Sequence, residues 1–152
     1  VITGVAGKVG FSTISIEKDM MNAELGVGRR VLEVLEKHKV SFEHFPSGID
    51  TMTVVVATEQ IDKIRDEITA DLFKSVHADS VMIEDGLALI AIVGRGMVKA
   101  KGTAAKVFSA ISEAGINIRM IDQGSSELNI IIGVDEGDYE AALNAIYKGF
   151  DN

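Results

Sequence analysis

The residues best placed to do chemistry in this chain are glycines that precede two predicted helices. Gly26-Val27-Gly28 and Lys101-Gly102-Thr103 each leave backbone N–H groups free at a helix N-terminus. The helix dipole favours an anion there, and an α-carboxylate is such an anion. Glycines at a strand–helix junction are also ordinary tight-turn residues. The two motifs therefore leave two interpretations open, a ligand site and a purely structural turn.

Acidic and hydroxyl side chains follow the first glycine motif. Ser41, Glu43, Ser47 and Asp50 lie on a predicted strand and on the turn after it. Glu43 and Asp50 could accept hydrogen bonds from an ammonium group, either an α-amine or the side-chain amine of lysine. Acidic turn residues are usually just solvated. An amino-acid ligand fits this pattern, and a solvated turn is the plainer alternative.

No set of residues in the sequence has the spacing of a catalytic or metal centre. Gly7-Lys8 is followed by Val9 instead of Ser or Thr, so it is not a phosphate-binding P-loop. Gly94-Arg95-Gly96 lacks the third glycine of a dinucleotide fingerprint. The three histidines lack metal-type spacing, and we expect structural or surface roles for His38, His44 and His77.

Composition excludes several classes of function. The 152 residues are 47% hydrophobic, enough for a real core, and carry a net charge of −8. An acidic chain is a poor binder of nucleic acid and of anionic membranes. The absence of Cys excludes disulfides and thiolate chemistry and is consistent with a cytoplasmic location. The chain begins Val-Ile-Thr without an initiator Met, and we expect it to be part of a longer protein.

An internal repeat organises the elements that must position these residues. The same apolar phase and the same glycines recur at an offset of 76 residues. Matching pairs are Ile14 and Ile90, Gly26 and Gly102, Val31 and Val107, Val40 and Ile116, Gly48 and Gly124, and Val56 and Ile132. The chain is therefore a duplication.

Each copy alternates strand and helix patterns. In the first copy we predict strands at Phe11–Ile16, Val40–Phe45, Met52–Ala57 and Ser80–Glu84, and helices at Gly26–His38 and from Thr58 or Glu59 onward. An Asp85-Gly86 turn follows. In the second copy we predict strands at Leu87–Val93, Asn117–Ile121 and Leu128–Val134, and helices at Thr103–Ala114 and Asp138–Phe150.

The second copy lacks a closing strand, which the N-terminal segment Ile2–Ala6 can supply. The predicted fold is α+β, with two ferredoxin-like βαββαβ units that have antiparallel sheets and helices on one face. The first unit, residues 8–85, is inserted into the second, residues 1–7 plus 86–152. Units this small are expected to pair through their sheet edges.

Several phrases resemble the regulatory region of aspartokinases, which contains tandem ACT domains. The resemblance covers essentially the whole chain. It is carried by DMMNAELGV at 19–27, FPSGID at 45–50, VGRGM at 93–97, AGINIRMI at 114–121 and DQGSSELNI at 122–130. The PSGID phrase is most similar to lysine-sensitive monofunctional aspartokinases, and the unit-within-unit topology is also that of the family.

The resemblance implies an allosteric domain that binds an end-product amino acid, lysine or lysine with threonine. It would mediate feedback inhibition of the aspartate-family pathway, including lysine biosynthesis, and form a homodimer through its ACT units. The parent enzyme would be a cytoplasmic transferase, a kinase that uses ATP and Mg to phosphorylate the side-chain carboxylate of aspartate. Its catalytic domain is not in this chain, so we expect neither catalysis nor a cofactor here.

The family's ligand residues carry over by position. They are Met21, Asn22, Leu25, Gly26, Val27, Gly28, Ser41, Phe42, Glu43, Ser47, Gly48, Ile49 and Asp50, with Asp50 or Thr51 at the family's acidic position. Equivalent residues of the second unit, expected to make dimer contacts or a second site, are Asn117, Ile118, Gln123, Gly124, Ser125, Ser126 and Glu127. The alternatives are a purely structural ACT dimerisation module and, least favoured, a stand-alone ferredoxin-like enzyme.

Overall fold

The chain divides into two compact units. The computed structural model describes residues 4–94, 101–123 and 129–150. The first unit is Gly10–Asp85, and the second unit combines Val1–Val9 with Gly86–Asn152. Two long strands, β1 (Gly4–Glu17) and β3 (Ser80–Val93), each contribute one part to either unit.

The first unit contains one part each of β1 and β3, a strand of its own and three helices. After β1 come a 3-10 turn (Met21–Ala23), α1 (Val27–Lys37), β2 (Thr51–Ala57), α2 (Thr58–Ile61) and α3 (Arg65–Val76). The strand order in this unit is β2-β1-β3. β1 and β2 are antiparallel, from Phe11 opposite Ala57 to Glu17 opposite Thr51.

Alternating side chains of these strands build the core of the first unit. Ile14 and Ile16 of β1 and Val54 of β2 pack against Leu35 of α1 and Leu72 of α3, and all five are fully buried or nearly so. Period-2 alternation brings such residues to one face of a sheet. Each buried aliphatic side chain stabilises the fold by about 1.5–3 kcal/mol relative to leaving it exposed.

The second unit repeats this plan. Its remaining elements are α4 (Thr103–Glu113), β4 (Ile118–Asp122), β5 (Asn129–Asp135), a 3-10 turn (Glu136–Asp138) and α5 (Tyr139–Gly149). The strand order is β1-β3-β5-β4, with β5 antiparallel to both β3 and β4. Ile90 and Ile132 from the strands pack with Val107, Ile111 and Ile146 from the helices. The predicted fold class is therefore confirmed.

Two tyrosines of α5 hold the N-terminal part of β1 in the second unit. The Tyr147 hydroxyl donates to the Val5 carbonyl at 3.2 Å. The Tyr139 ring lies so close to Gly7 that a Cβ on this residue would be 2.5 Å from Cε1. Glycine at position 7 therefore makes room for the ring, and the N-terminal segment closes the unit.

The strands are longer than the sequence predicts. Phe11–Ile16 is part of the 14-residue β1, and Ser80–Glu84 and Leu87–Val93 join into the 14-residue β3. The predicted Asp85-Gly86 turn is therefore wrong. Gly10 and Gly86 have φ of 91° and 72°, which glycine adopts easily, so the chain bends there without leaving the strand. Ile2 and Leu128, at the ends of two predicted strands, lie outside the described residues.

The predicted strand Val40–Phe45 is also wrong, because only isolated bridges form there. His44 pairs with Val55, and Ser47 pairs with Met52. The Glu43 N–H donates to the Val55 carbonyl at 2.8 Å, and the Val55 N–H donates to the His44 carbonyl at 2.9 Å. Two successive residues, Glu43 and His44, thus pair with the single residue Val55. Pro46 follows and has no N–H to donate to a strand ladder.

The predicted helix from Thr58 is divided into α2 and α3. The Ile64 N–H bonds to the Ile61 carbonyl, three residues back instead of four, and Ile64 has φ −130° and ψ 19°. This tighter step ends α2 before α3 begins. The remaining predicted elements are present within three residues at each end. In the described part of the chain, no helix is long and apolar enough to cross a membrane.

Candidate functional site

The first unit brings two of the predicted ligand segments together. These are the β1–α1 loop, residues 18–26, and the hairpin turn at 47–50. The Asn22 N–H donates to the Ile49 carbonyl at 3.1 Å. The Lys18 N–H donates to the Asp50 carbonyl at 3.0 Å, and the Met20 N–H donates to Asp50 Oδ1 at 3.1 Å. Asn22 is therefore a neighbour of Ile49 and Asp50, which are far from it in sequence.

Asp50 has a structural role that sequence reasoning missed. Its carboxylate holds Met20, which has a positive φ of 56°, uncommon for a residue with a side chain. The turn itself is closed by the Gly48 N–H, which donates to the Thr51 carbonyl at 2.7 Å. Ser47 Oγ donates to the Phe45 carbonyl at 3.4 Å. Asp50 thus fixes the loop conformation, whatever else it binds.

The glycines of the first motif shape the start of α1. Gly26 is the N-cap with φ 84°, a conformation that strains any residue with a Cβ. Val27 is buried in the core, and Gly28 lies over Met52, whose Cε would be 3.8 Å from an added Cβ. In the described residues, no side chain caps this helix end. The backbone N–H groups of the first turn of α1 therefore have no side-chain acceptor at the cap within the described part of the chain.

Ser41, Phe42 and Glu43 have hydrogen bonds and ring contacts within their own segment and with β2 and α2. The Ser41 N–H and Oγ both donate to Gln60 Oε1, at 3.0 and 3.2 Å, and Gln60 Nε2 donates to the Ser41 carbonyl at 3.1 Å. Phe42 packs edge-to-face on Phe45, with ring centroids 5.9 Å apart. Glu43 is exposed. Gln60 was not among the predicted residues. Its side chain accepts a hydrogen bond from the Ser41 hydroxyl, which therefore has a structural role.

Large apolar side chains are exposed on these same segments. Leu25 is 94% exposed, and Met20, Phe42 and Ile49 are also exposed. Single exposed apolar residues are normal. Met20 and Ile49 belong to the two segments joined by the hydrogen bonds described above, and Leu25 follows in the same loop. The predicted ligand residues thus include side chains suited to contact an aliphatic chain or a partner protein.

Three charged residues that sequence reasoning missed support the loop. Glu24 forms ion pairs with Lys18, at 3.3 Å between Nζ and Oε1, and with Arg30. Burial alone would raise the pKa of Glu24, but hydrogen bonds from Lys18 and Arg30 together outweigh it and hold this pKa below its ordinary value. Glu24 is therefore anionic at neutral pH.

The second unit repeats the glycine motif of the first but has no acidic residue at the position equivalent to Glu43. Gly102 caps α4 with φ 83°, as Gly26 caps α1. Asn117 and Gln123 are exposed, and Ile118 is half-buried against the core. Gly124, Ser125, Ser126 and Glu127 lie outside the described residues. Arg119, which is equivalent to Glu43, donates to Asp135 Oδ1 at 3.0 Å and to the Gly86 carbonyl at 3.3 Å.

An open cleft of about 490 Å³ lies between α1 and α3, away from the predicted site. It is lined by Glu33, Val34, Glu36, Lys37, Asp71 and Ser75, none of which was predicted to bind ligand. His38 Nε2 lies 2.6 Å from Asp71 Oδ2, and this contact together with Lys37 lowers the pKa of Asp71. No cluster that could hold a metal ion occurs among the described residues.

Comparisons with known proteins agree with this architecture. The ACT domain family model matches residues 90–150. Aspartokinase 3 of Bacillus subtilis is 43% identical over 150 residues, which are 98% of this chain and 33% of the relative. The chain thus spans about a third of the length of this relative.

Two solved structures have the same fold. The aspartate kinase of Clostridium acetobutylicum, described as an allosteric enzyme, is 48% identical with a TM-score of 0.94, over 98% of this chain and 34% of that chain. The regulatory subunit of aspartate kinase from Thermus flavus shares the fold at 23% identity, with a TM-score of 0.84 over 99% of both chains. With nearly its whole length matched in this way, the chain belongs to the aspartokinase family and is its ACT regulatory region.

Proposed function

We propose that this chain is the amino-acid sensor of an aspartokinase and that it binds free lysine, or lysine together with threonine, at the first unit. The observation that carries the proposal is the junction of the β1–α1 loop with the hairpin turn. Hydrogen bonds at 3.0–3.1 Å join this loop to Ile49 and Asp50, and the same loop leads directly into the N-terminus of α1, which has no side-chain cap among the described residues. The loop and the turn thus include acidic oxygens and exposed apolar side chains, and the loop ends at a helix N-terminus.

Each part of a free amino acid has a partner in this arrangement. The α-carboxylate would accept from N–H groups at the start of α1, which begins after Gly26. An ammonium group would donate to Glu43 or Asp50. The methylene chain of lysine would lie against Leu25 and Ile49, both of which are exposed. Aspartokinase III of E. coli, 23% identical with a TM-score of 0.80, was solved in complex with lysine and aspartate.

Regulation would follow from a difference in affinity between two states of the complete enzyme. A ligand that binds one state more tightly shifts the equilibrium towards it. The catalytic domain of the complete enzyme would transfer a phosphoryl group from ATP, with Mg, to the side-chain carboxylate of aspartate in the cytoplasm. The sensor itself needs no cofactor. End-product binding would then lower kinase activity and so limit lysine biosynthesis.

The exposed apolar residues support a homodimer through the first unit. Met20, Leu25, Phe42 and Ile49 would be covered by the same surface of a second copy. Ligand would then bind next to residues of both copies. In this arrangement the amino acid completes the interface, so ligand binding and dimer stability are linked.

A purely structural dimerisation module is the second candidate. Two polar groups assigned to the ligand already have internal partners, because Ser41 is bonded to Gln60 and Asp50 Oδ1 to Met20. A module of this kind would dimerise without a working ligand site. Its melting temperature would be the same with every protein amino acid, because only ligand bound to the native state raises it.

Calorimetric titration of the 152-residue chain with lysine, threonine and methionine tests the sensor. We expect saturable heat with lysine, a smaller or additional response with threonine and none with methionine. The melting temperature should rise with the same ligand order. No binding of any of the three, at protein concentrations where the chain is dimeric, would overturn the sensor and leave the structural module.

A further inference from the structure

We propose that Lys18, Glu24 and Arg30 form a clamp that positions the β1–α1 loop for its ligand by fastening it to the end of α3. This inference rests on the proposed function and adds three positioning residues to it. None of the three was predicted to touch the amino acid. Their role is to fix the shape of the segment that contains Met21, Asn22 and Leu25.

Glu24 is the centre of the clamp. One carboxylate oxygen, Oε1, lies 3.3 Å from Lys18 Nζ, and the other, Oε2, pairs with Arg30 Nη2. Lys18 follows the end of β1, and Arg30 is in the first turns of α1. The two cations therefore flank the loop at its beginning and just beyond its end, and Glu24 ties them together.

The same cations fasten the loop to the C-terminal end of α3. Lys18 Nζ donates to the Val76 carbonyl at 2.7 Å and to the His77 carbonyl at 3.3 Å. Arg30 Nε donates to the Ser75 carbonyl at 3.1 Å. The last carbonyls of a helix have no partners within the helix and form the negative end of its dipole. Two cations there satisfy these carbonyls and anchor the loop to a rigid element.

The clamp differs from an ordinary surface ion pair. The side chains of Lys18, Glu24 and Arg30 are 12%, 41% and 26% exposed. Arg29 and Glu33, an i,i+4 pair on the same helix α1, are 69% and 66% exposed. An exposed pair contributes little because solvent and salt screen it. The less exposed, three-membered cluster should hold its geometry more firmly.

Asp50 makes a second set of contacts with the loop. Its backbone carbonyl accepts from the Lys18 N–H, and its carboxylate accepts from the Met20 N–H. Lys18 thus takes part in both sets of contacts, through its backbone with the hairpin turn and through its ammonium group with α3. Release of Glu24 would leave the hairpin contacts of Lys18, Met20 and Asn22 in place but loosen residues 23–26, which follow them. Ligand affinity would fall because the loop must then be ordered during binding.

The matched variants Glu24→Gln and Glu33→Gln test this inference in the full chain. Each replaces one paired glutamate with glutamine and changes the net charge by the same amount. Lysine is titrated calorimetrically into both, well below their melting temperatures. We expect about tenfold weaker binding for Glu24→Gln, a loss of the size typical of substitutions that act on a site indirectly. The affinity of Glu33→Gln should be unchanged.

Two further measurements separate positioning from a general loss of stability. Hydrogen exchange without ligand should become faster in residues 23–25 of Glu24→Gln, with α1 and β2 unchanged. Arg30→Gln should also weaken binding, and the double variant with Glu24→Gln should lose less than the two single losses combined. If Glu24→Gln does not fold, Arg30→Lys serves instead, because it keeps the charge but loses the planar group that reaches Ser75.

The outcomes distinguish this inference from the proposed function. If the wild-type chain binds none of the amino acids tested, the sensor function itself is overturned and the clamp has no ligand site to position. If the wild-type chain binds lysine and Glu24→Gln binds it equally well, only the clamp is overturned. An equal loss in Glu24→Gln and Glu33→Gln would also overturn it, since surface charge alone would then explain the effect.

Discussion

Glu43 and Asp50 are both acidic residues of the proposed amino-acid site, but they have different surroundings in the structure. Both residues are exposed, but Asp50 Oδ1 accepts from the Met20 N–H, whereas Glu43 donates its backbone N–H to the Val55 carbonyl. Asp50 therefore serves the fold as well as the proposed ligand. For Glu43, ligand binding is the only role we propose.

Substitution of each acid by alanine should separate these roles. Asp50→Ala should lower the free energy of unfolding by about 1 kcal/mol, the usual value of one hydrogen bond. Glu43→Ala should change it by less than about 0.5 kcal/mol, as for most surface substitutions, yet abolish lysine binding. Urea denaturation and calorimetry measure the two effects. Unchanged lysine binding in Glu43→Ala would contradict the role proposed for its carboxylate.

Asp85 should make the stability of the first unit depend on acid pH. A hydrogen bond of 2.6 Å from the buried Ser12 hydroxyl, followed by the Arg65 guanidinium at 3.0 Å, lowers the pKa of Asp85 from 3.8. A carboxylate with a lowered folded-state pKa stabilises the protein above its unfolded value, and this stability is lost as the pH falls through the folded value. The loss should therefore begin near pH 3.8 and continue below it.

Urea denaturation at several pH values from neutral to about 2.5 measures this loss, the interval following from the lowered pKa. Asp85→Asn should be less stable at neutral pH and show a shallower fall on acidification. Asp62→Asn is the control, because it removes another Arg65 partner at 2.8 Å and leaves the Ser12–Asp85 bond in place. Equal slopes in wild type and Asp85→Asn would contradict the prediction.

The sequence indicated some of these residues and not others, for a physical reason. Gly26 and Asp50 stand out because their residue types suit a helix start and a turn. Glu24 acquires its role only through Arg30 and Lys18, whose side chains also donate to carbonyls at the end of α3. Backbone carbonyls have no sequence signature, and where a helix ends is the least certain part of its prediction. The clamp was therefore not predictable from residue types.

At the scale of elements, the continuity of β1 and β3 depends on two glycines. Gly10 and Gly86, 76 residues apart, have positive φ inside β1 and β3. Hydrophobic periodicity predicted the strand segments on both sides of each glycine. The Asp85-Gly86 dipeptide was predicted to be a turn. The same dipeptide is typical both of turns and of bends within a strand, so residue types alone do not distinguish the two.

Substitution of Gly86 by alanine should therefore be costly although there is space for a methyl group. No heavy atom outside its chain neighbours lies within 4 Å of a Cβ built there, so the cost is the positive φ alone. We expect a loss of about 1–2 kcal/mol in the free energy of unfolding, measured in urea. Gly4→Ala, also in open space and without a positive φ, should change it by no more than about 0.5 kcal/mol. Equal losses for the two variants would show that the positive φ at position 86 does not disfavour a residue with a Cβ.

At the scale of the whole molecule, the repeat of 76 residues was the most informative feature of the sequence. It predicted two similar units and, through the missing strand of the second, a role for the N-terminus. A repeat reveals equal folds because both copies bury the same apolar pattern. It does not reveal unequal functions, which depend on single positions such as Glu43 and its equivalent Arg119, whose side chain pairs with Asp135.

Removal of residues 1–7 should therefore damage one unit more than the other. This segment includes Val5, whose carbonyl accepts from Tyr147, and Gly7, which packs against Tyr139. We expect hydrogen exchange in α4, β5 and α5 to become fast, because an edge of their sheet and one side of α5 lose their cover. The first unit, Gly10–Asp85, has its own core and should remain protected.

The control for the deletion is Tyr147→Phe, which removes one hydrogen bond and keeps the strand. It should cost about 0.5–1.5 kcal/mol and leave the exchange pattern of the second unit intact. Lysine binding gives a second readout, because the proposed site belongs to the first unit and should survive the deletion if that unit still pairs. Equal exposure of both units after the deletion would mean that they fold as one cooperative body, and the N-terminal strand would then stabilise the sensor as a whole.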